Sequence, residues 1–323
     1  MNTRIQHLTQ ILRTAPPRIV YPEGKNPIIL AAVRQLVDTG AIRAVLLAPD
    51  RAAVETVAQR HHISLDGMTI TAIDPMIAAT ISSSRPLVPR LAHAAALLRD
   101  GAVDGMVAGI DHPTPEVLRA ALKGVGLTPD VDYASSFFII DTPTFHGGEN
   151  GLLLFADCGM NIAPTAEQLA DITLASAQNA QCLGWQPRVA LLSYSTKGSA
   201  GGDSAALMQR TREIILDRDP LLQVDGELQV DAAINETIAR KKAGNSPVAG
   251  RANILIFPDL ASGNIAYKLV EQLAGANAYG PLLQGFAKPI SDVSRGSTVE
   301  DIVGTSLLLA KIAQSSEVEN DHE

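Results

Sequence analysis

Cysteine is nearly absent. Two residues, Cys158 and Cys182, in a chain of 323 supply neither a disulfide framework nor a zinc set, and this usage fits a reducing cytosol. An excess of basic charge is missing too: 26 Lys and Arg against 34 Asp and Glu leave a net charge of -8, the wrong sign for neutralising a phosphate backbone, so nucleic acid is excluded as the main partner. Long apolar runs are lacking. Leu152 to Phe155 and Ile254 to Phe257 fall far short of the roughly 20 residues a bilayer span needs. The seven histidines show no H-x-x-x-H or H-E-x-x-H spacing, so no catalytic metal is expected. No G-x-x-x-x-G-K-[ST] loop and no G-x-G-x-x-G fingerprint after a strand is present, which removes support for nucleotide hydrolysis and NAD binding. Internal repeats and low-complexity tracts are absent, and the acidic tail Glu317 to Glu323 reads as a frayed end. Residues 1 to 22 hold Arg4, Arg13 and Arg18 with no acid, faintly like a transit peptide. The helical spacing of Ile5, Leu8, Ile11 and Leu12 favours a surface helix instead.

What is present is a substantial apolar content, 46% of residues, enough for a sizeable core and, at this length, about two domains. Short β-branched runs alternate with helical patterns, the rhythm of a parallel sheet covered on both faces. Strands are expected at Arg18 to Tyr21, Ala44 to Leu47, Gly105 to Ala108, Phe137 to Ile140, Leu152 to Ala156, Val189 to Tyr194, Ile254 to Phe257 and Leu282 to Phe286. Helices are expected at Pro27 to Val37, Pro89 to Leu98, Pro115 to Lys123, Thr165 to Leu183, Ser204 to Leu216, Asn264 to Leu273 and Val299 to Ile312. Thr165 followed three residues later by Gln168 is a capping-box signature. So many strands exceed one ordinary twisted sheet, and the turn-rich Asp141 to Gly151 breaks the chain midway, so two α/β domains with a ligand cleft between their strand ends are the natural reading.

Three stretches could carry chemistry. In Ser294-Arg295-Gly296-Ser297, a guanidinium, hydroxyls and the amides of a helix N-terminus can converge on phosphate. The same residues also suit a simple cap, with Ser297 and Glu300 or with Thr298 and Asp301. Residues 193 to 204 (SYSTKGSAGGDS) form a glycine-rich loop holding Lys197, a phosphate cradle or a plain flexible loop. Arg119 and His112 flank the start of a helix after the strand ending at Gly109. Cys158, with no histidine near it in sequence, reads as a buried structural thiol rather than a nucleophile.

Five colinear blocks, ADCGMNIAPTAEQLADI (156 to 172), PRVALLSYSTKGSA (187 to 200), VDGELQVDAAI (224 to 234), ANILIFPDLASGNIAYKLVEQLAGA (252 to 276) and GPLLQGFAKPISDVSRGSTVEDIV (280 to 303), resemble the phosphate acetyl/butyryltransferase family. The resemblance implies two three-layer α/β domains with mainly parallel sheets. Domain 1 would comprise 1-135 plus 279-323, domain 2 (136-278) would be inserted into it, and the active-site cleft would lie between them. It implies a cytoplasmic homodimer with no tightly bound cofactor and no metal, converting acetyl-CoA and phosphate to acetyl phosphate and CoA through direct attack of the CoA thiolate. It further implies Asp301 as the base for the thiol and Ser294 as its hydrogen-bonding guide. Arg295 and Arg119 would hold the phosphoryl group and the developing oxyanion, with Lys288 and Lys197 as further substrate contacts. A thiol near pH 8.5 and an aspartate near 3.9 differ by roughly 4 to 5 units, and a helix N-terminus favours ionised aspartate, so positioning and desolvation must assist such a base.

Departures from the family pattern are local. Ser297 stands where many relatives carry cysteine, a further family arginine falls on Arg85 or Arg90, and the family's cysteine near the site would fall near Phe145, so no role passes to Cys158. An acyltransferase for propionyl or butyryl groups, a decarboxylating dehydrogenase of related fold, and a non-catalytic regulatory module are the competing readings. The missing nucleotide fingerprint weighs against the second. The intact Ser294, Arg295, Asp301 and Arg119 weigh against the third.

Overall fold

The computed structural model describes residues 3–74, 76–77, 87–129 and 131–320. In chain order, α1 (Thr3–Gln6) and α2 (Leu8–Leu12) lead into β1 (Arg18–Tyr21), α3 (Pro27–Thr39), β2 (Arg43–Ala48), α4 (Arg51–Arg60), β3 (Met68–Ala72), α5 (Pro89–Arg99), β4 (Gly105–Ala108) and α6 (Thr114–Gly124). Next come β5 (Ser135–Asp141), β6 (Leu152–Ala156), α7 (Ala166–Cys182), β7 (Val189–Leu192), α8 (Asp203–Arg218), β8 (Val224–Leu228), α9 (Val230–Ile234), α10 (Glu236–Lys242), β9 (Ile254–Ile256) and α11 (Leu260–Ala274). The chain finishes with β10 (Asn277–Gln284), β11 (Ile290–Asp292) and α12 (Val299–Asn320). Two compact units result: Met1–Asp132 with Tyr279–Glu323, and Tyr133–Ala278.

In the first unit the strands lie in the order β3-β2-β1-β4-β11-β10, all parallel except for the β10/β11 pair. The chain steps from β1 to β2 and β3 on one side, then crosses back to β4 on the other. Right-handed crossovers therefore place α3 and α5 on opposite faces. α12 packs on α3, and α5 packs on α6. The latter approach is close because Gly124 meets Ala95, where a side chain on Gly124 would collide with the Ala95 methyl. β1 is buried along Ile19, Val20 and Tyr21, and the Tyr21 hydroxyl donates to Ser306 of α12 at 3.0 Å. α3 begins at Asn26, whose side chain accepts from the Ile28 amide, and stops at Gly40 with φ +70. Both are standard helix punctuation.

The second unit orders its strands β5-β6-β9-β7-β8, with β5/β6 antiparallel and the rest parallel. Its core gathers Phe138, Ile140, Phe155, Leu192, Leu255 and Phe257, and Tyr267 of α11 stacks on Phe138 with ring centroids 4.3 Å apart. α7 opens on the capping box expected of Thr165 and Gln168, both reciprocal bonds being present.

Both units are mixed α/β with mainly parallel sheets, as the alternating pattern implies. Three strands escape that pattern. β8 reads Val-Asp-Gly-Glu-Leu, whose acids look unlike a buried strand, yet all five residues are buried because each carboxylate has partners. β11 is three residues long and follows Pro289, and β3 is an edge strand of weak burial. The strand expected at Leu282 to Phe286 instead runs Asn277–Gln284 and ends before Gly285, which adopts φ +85.

Candidate functional site

The reversal of strand order falls between β1 and β4, and open α/β sheets bind ligands beyond the carboxyl ends of strands at such a point. Three loops meet there in the first unit: residues 22–26 after β1, 109–113 after β4 and 293–298 after β11. β4 and β11 run parallel with Ala108 opposite Asp292, and the Val293 amide donates to the Ala108 carbonyl at 2.7 Å. Their two loops therefore leave the sheet side by side.

The β11 loop carries Ser294 and Arg295, both exposed. Ser294 accepts from the Gly296 amide at 3.2 Å through its hydroxyl and from the Ser297 amide at 3.0 Å through its carbonyl, which curls the loop. Arg295 makes no ion pair among the described residues. Of the two possible caps, Thr298 with Asp301 is the one that forms. Asp301 Oδ2 accepts from the Thr298 amide and hydroxyl at 2.8 and 2.9 Å, and Thr298 Oγ1 accepts from the Asp301 amide at 3.2 Å. Oδ1 of Asp301 takes no hydrogen bond among the described residues.

The β4 loop starts at Gly109, whose φ is +117. A Cβ there would collide with Asp292 Oδ1 and the Val293 carbonyl, so only glycine fits. His112 Nδ1 lies 3.1 Å from Glu116 Oε2. Asp111 accepts from Asn26 Nδ2 at 2.8 Å and stands 4.0 Å from Arg90. α6 then carries Arg119, half-buried and without a carboxylate partner among the described residues. The parallel β4/β11 pair thus sets two unpaired arginines, Arg119 and Arg295, on elements that leave neighbouring strand ends. Arg85, the other candidate for a further arginine, lies outside the described residues.

Two buried acids stand under these loops, and sequence reasoning passed over both. Glu23 has no exposed surface and accepts from the Gly109 amide at 2.9 Å. Burial raises its pKa to about 7, opposed by the Gly109 and Asp111 amides and reinforced by the Asp111 charge. Asp292 is 3% exposed, and burial lifts it to about 6 against one side-chain hydrogen bond from Thr114. An acid ending a buried strand at the sheet's switch point was the signal available in Ile290-Ser291-Asp292.

The two lysines lie on other loops. Lys288 sits in the turn between β10 and β11, at the start of β11, whereas Ser294 follows its end. Lys197, in the second unit, pairs with Asp225, which also holds Arg212 at 3.1 Å. The glycine-rich loop around it is pinned rather than loose: Glu227 accepts from Ser195 Oγ at 2.8 Å and from the Gly198 amide at 2.7 Å. Cys158 is fully buried; burial and the neighbouring Asp157 push its thiol well up, which suits a structural residue. Among the described residues no group of three or more His, Cys, Asp or Glu side chains is placed to hold a metal ion.

A doubly wound α/β sheet with loops from β1, β4 and β11 leaving the strand ends at its switch point defines a fold of the α/β type that binds ligands beyond those ends. The chain belongs to the phosphate acetyl/butaryl transferase family, whose model matches residues 3–83 and 76–310. It is 43% identical over 313 residues to a phosphate acetyltransferase of Treponema pallidum, covering 90% of this chain and 92% of that one. It is 39% identical to a phosphate acetyltransferase of Clostridium acetobutylicum, covering 96% and 98%. A crystal structure of a phosphotransacetylase from Streptococcus pyogenes superposes with TM-score 0.84 at 32% identity, over 98% of this chain and all of that one.

Proposed function

We propose that this chain is a phosphate acetyltransferase that interconverts acetyl-CoA and phosphate with acetyl phosphate and CoA in a ternary complex. The observation that carries the reading is the pairing of β4 with β11, from whose neighbouring ends depart the segment leading into α6, which carries Arg119, and the Ser294-Arg295 loop, in a chain of this family. The two guanidiniums hold the acetyl phosphate, whose anionic oxygens match their forked donors. The CoA sulfur attacks the carbonyl carbon; a C–S bond forms as the C–O bond to phosphate breaks, and phosphate departs. Ser294 guides the sulfur by hydrogen bonding. Asp301 takes the thiol proton on Oδ1, since its Oδ2 is held in the cap. Held in place, the pair needs less of the pKa match that free groups would require. Charge growing on the carbonyl oxygen is met by the arginines. CoA is a substrate here, and the reading includes no tightly bound cofactor.

The proposed assembly is a homodimer in the cytoplasm. In support, α11 exposes Ile265, Leu269 and Leu273 at 58%, 52% and 81%, one apolar stripe at a four-residue spacing that a second copy would cover. No helix among the described residues is long and apolar enough to cross a membrane.

The test is formation of the thioester from acetyl phosphate and CoA, run beside propionyl and butyryl phosphate. Turnover fastest with the acetyl substrate supports the reading. Preference for butyryl phosphate moves the assignment to the longer-chain activity, and no turnover with any of the three overturns it.

A further inference from the structure

The helix that carries Arg119 lacks a cap of its own. α6 starts at Pro113, whose position offers no side-chain acceptor, and the polar residue that reaches the helix start comes from another strand. Asp292, at the end of β11, lies against the Gly109 α-carbon, and Thr114, the first residue of α6, favours the ionised form of its carboxyl. On the other side of the same turn, Glu23 from the end of β1 accepts the Gly109 amide at 2.9 Å, and the Asp111 amide also favours its ionised form. Gly109 lies between them, its amide on Glu23 and its α-carbon against Asp292.

The arrangement is costly, which argues for a use. Both acids are buried, and Glu23 Oε2 and Asp292 Oδ1 have no hydrogen-bond partner among the described residues; His112 Nε2, in the turn between them, is a third buried atom in the same condition. Native structures leave few such groups, and those that persist call for an explanation beyond stability. Burial raises the pKa of each acid, to about 7 and about 6, so each carboxylate is held where water would serve it better. An apolar pair would pack here without that penalty.

We propose that Glu23 and Asp292 are positioning residues for acetyl transfer, clamping the β4–α6 turn from two sides and so fixing Arg119 relative to the Ser294-Arg295 loop. Asp292 is suited to this because it precedes Ser294 by two residues on the same chain while packing against Gly109, where the turn into α6 begins. One side chain thereby registers both arginine-bearing elements. Arg119 stands five residues beyond Thr114, about 7.5 Å along a rigid helix, so a shift at the turn is passed on to the guanidinium. The inference rests on the acetyltransferase reading.

The experiment is a double-mutant cycle read by steady-state kinetics and thermal melting. Thr114→Val removes the hydroxyl that favours the ionised Asp292 while keeping the side chain's shape. Glu23→Gln replaces one of two acceptor oxygens with a donor facing an amide. Each is made in the native chain and in Arg119→Ala. The expected result is a fall of about tenfold or more in kcat/KM for acetyl phosphate in the native background, as a displaced binding group gives, and a fall within about twofold where Arg119 is already gone. The KM for CoA stays near its native value. Asp292→Asn, which keeps an acceptor for Thr114, retains more activity than Asp292→Ala. Equal losses in both backgrounds, or no loss in the native one at an unchanged melting temperature, overturn the inference while the native enzyme's turnover leaves the reading standing. A native chain without acetyl transfer overturns the reading and the inference together.

Discussion

Thr298 and Asp301 hold one another at the start of α12: the carboxylate accepts the threonine amide at 2.8 Å and the threonine oxygen accepts the aspartate amide at 3.2 Å. The residue proposed as the base is therefore also a structural cap, and its two oxygens divide the roles. Asp301→Ala should lose both, lowering stability by about 0.5 to 2 kcal/mol along with turnover. Asp301→Asn keeps an oxygen for the Thr298 amide and removes the base. Its melting temperature should stay near native while kcat falls by about 100-fold or more. Near-native kcat in the asparagine variant would assign the thiol proton to another acceptor.

Much of this geometry was legible in the sequence, and the parts that were not share a cause. Ser294, Arg295 and Asp301 stand where a strand runs into a helix, a pattern that suits either an anion site or a plain cap. The cap was foreseen as one of two, and only coordinates distinguish Thr298–Asp301 from Ser297–Glu300. Glu23, Asp292, Asp225 and Glu227 were invisible because each is a charged residue in a buried place. Hydropathy patterning reads a charge as surface, and only partners from distant segments make it tolerable inside. Glu23 is met by Gly109, 86 residues away, a contact that no local window contains. The loop around Lys197 differs from its sequence reading in one respect: its glycine-rich setting suggested a flexible segment, whereas two buried acids from β8 pin it.

Arg295 is exposed and pairs with no acid among the described residues, so its charge is available to substrate. Arg295→Ala should raise the KM for acetyl phosphate and the inhibition constant for inorganic phosphate by about tenfold or more. Arg295→Lys should recover only part of the loss, since a lysine is a point charge without the guanidinium fork. Unchanged phosphate inhibition in the alanine variant would remove Arg295 from the anion site.

Lys197 is the contrasting cation. Burial alone would raise the pKa of Asp225, but its bonds from Lys197, Ser246 and the Gly226 amide hold it below the ordinary value. Lys197→Met leaves the 1% exposed Asp225 side chain with Arg212 as its remaining cation. Stability should fall by about 1 to 3 kcal/mol, with the KM for acetyl phosphate unchanged. A raised KM at native stability would give Lys197 a place in substrate binding instead.

Glu23 makes stability depend on pH in the sense opposite to a salt-bridged acid. Burial lifts its pKa in the folded chain to about 7, while an unfolded glutamate titrates near 4.3. Between those values the unfolded chain has released a proton that the folded chain still holds, so stability falls as pH rises and levels off above about 7. Asp292, lifted by burial to about 6, acts in the same direction over a lower range. From pH 5.5 to 8 the Glu23 contribution amounts to a loss of about 2 kcal/mol. Glu23→Gln cannot titrate, so its unfolding free energy in urea should decline less over that interval by about the same amount. The variant should therefore gain on the native chain as the solution becomes more alkaline. Parallel curves for the two proteins would mean that Glu23 is ionised throughout and that its burial is compensated by partners beyond the Gly109 and Asp111 amides.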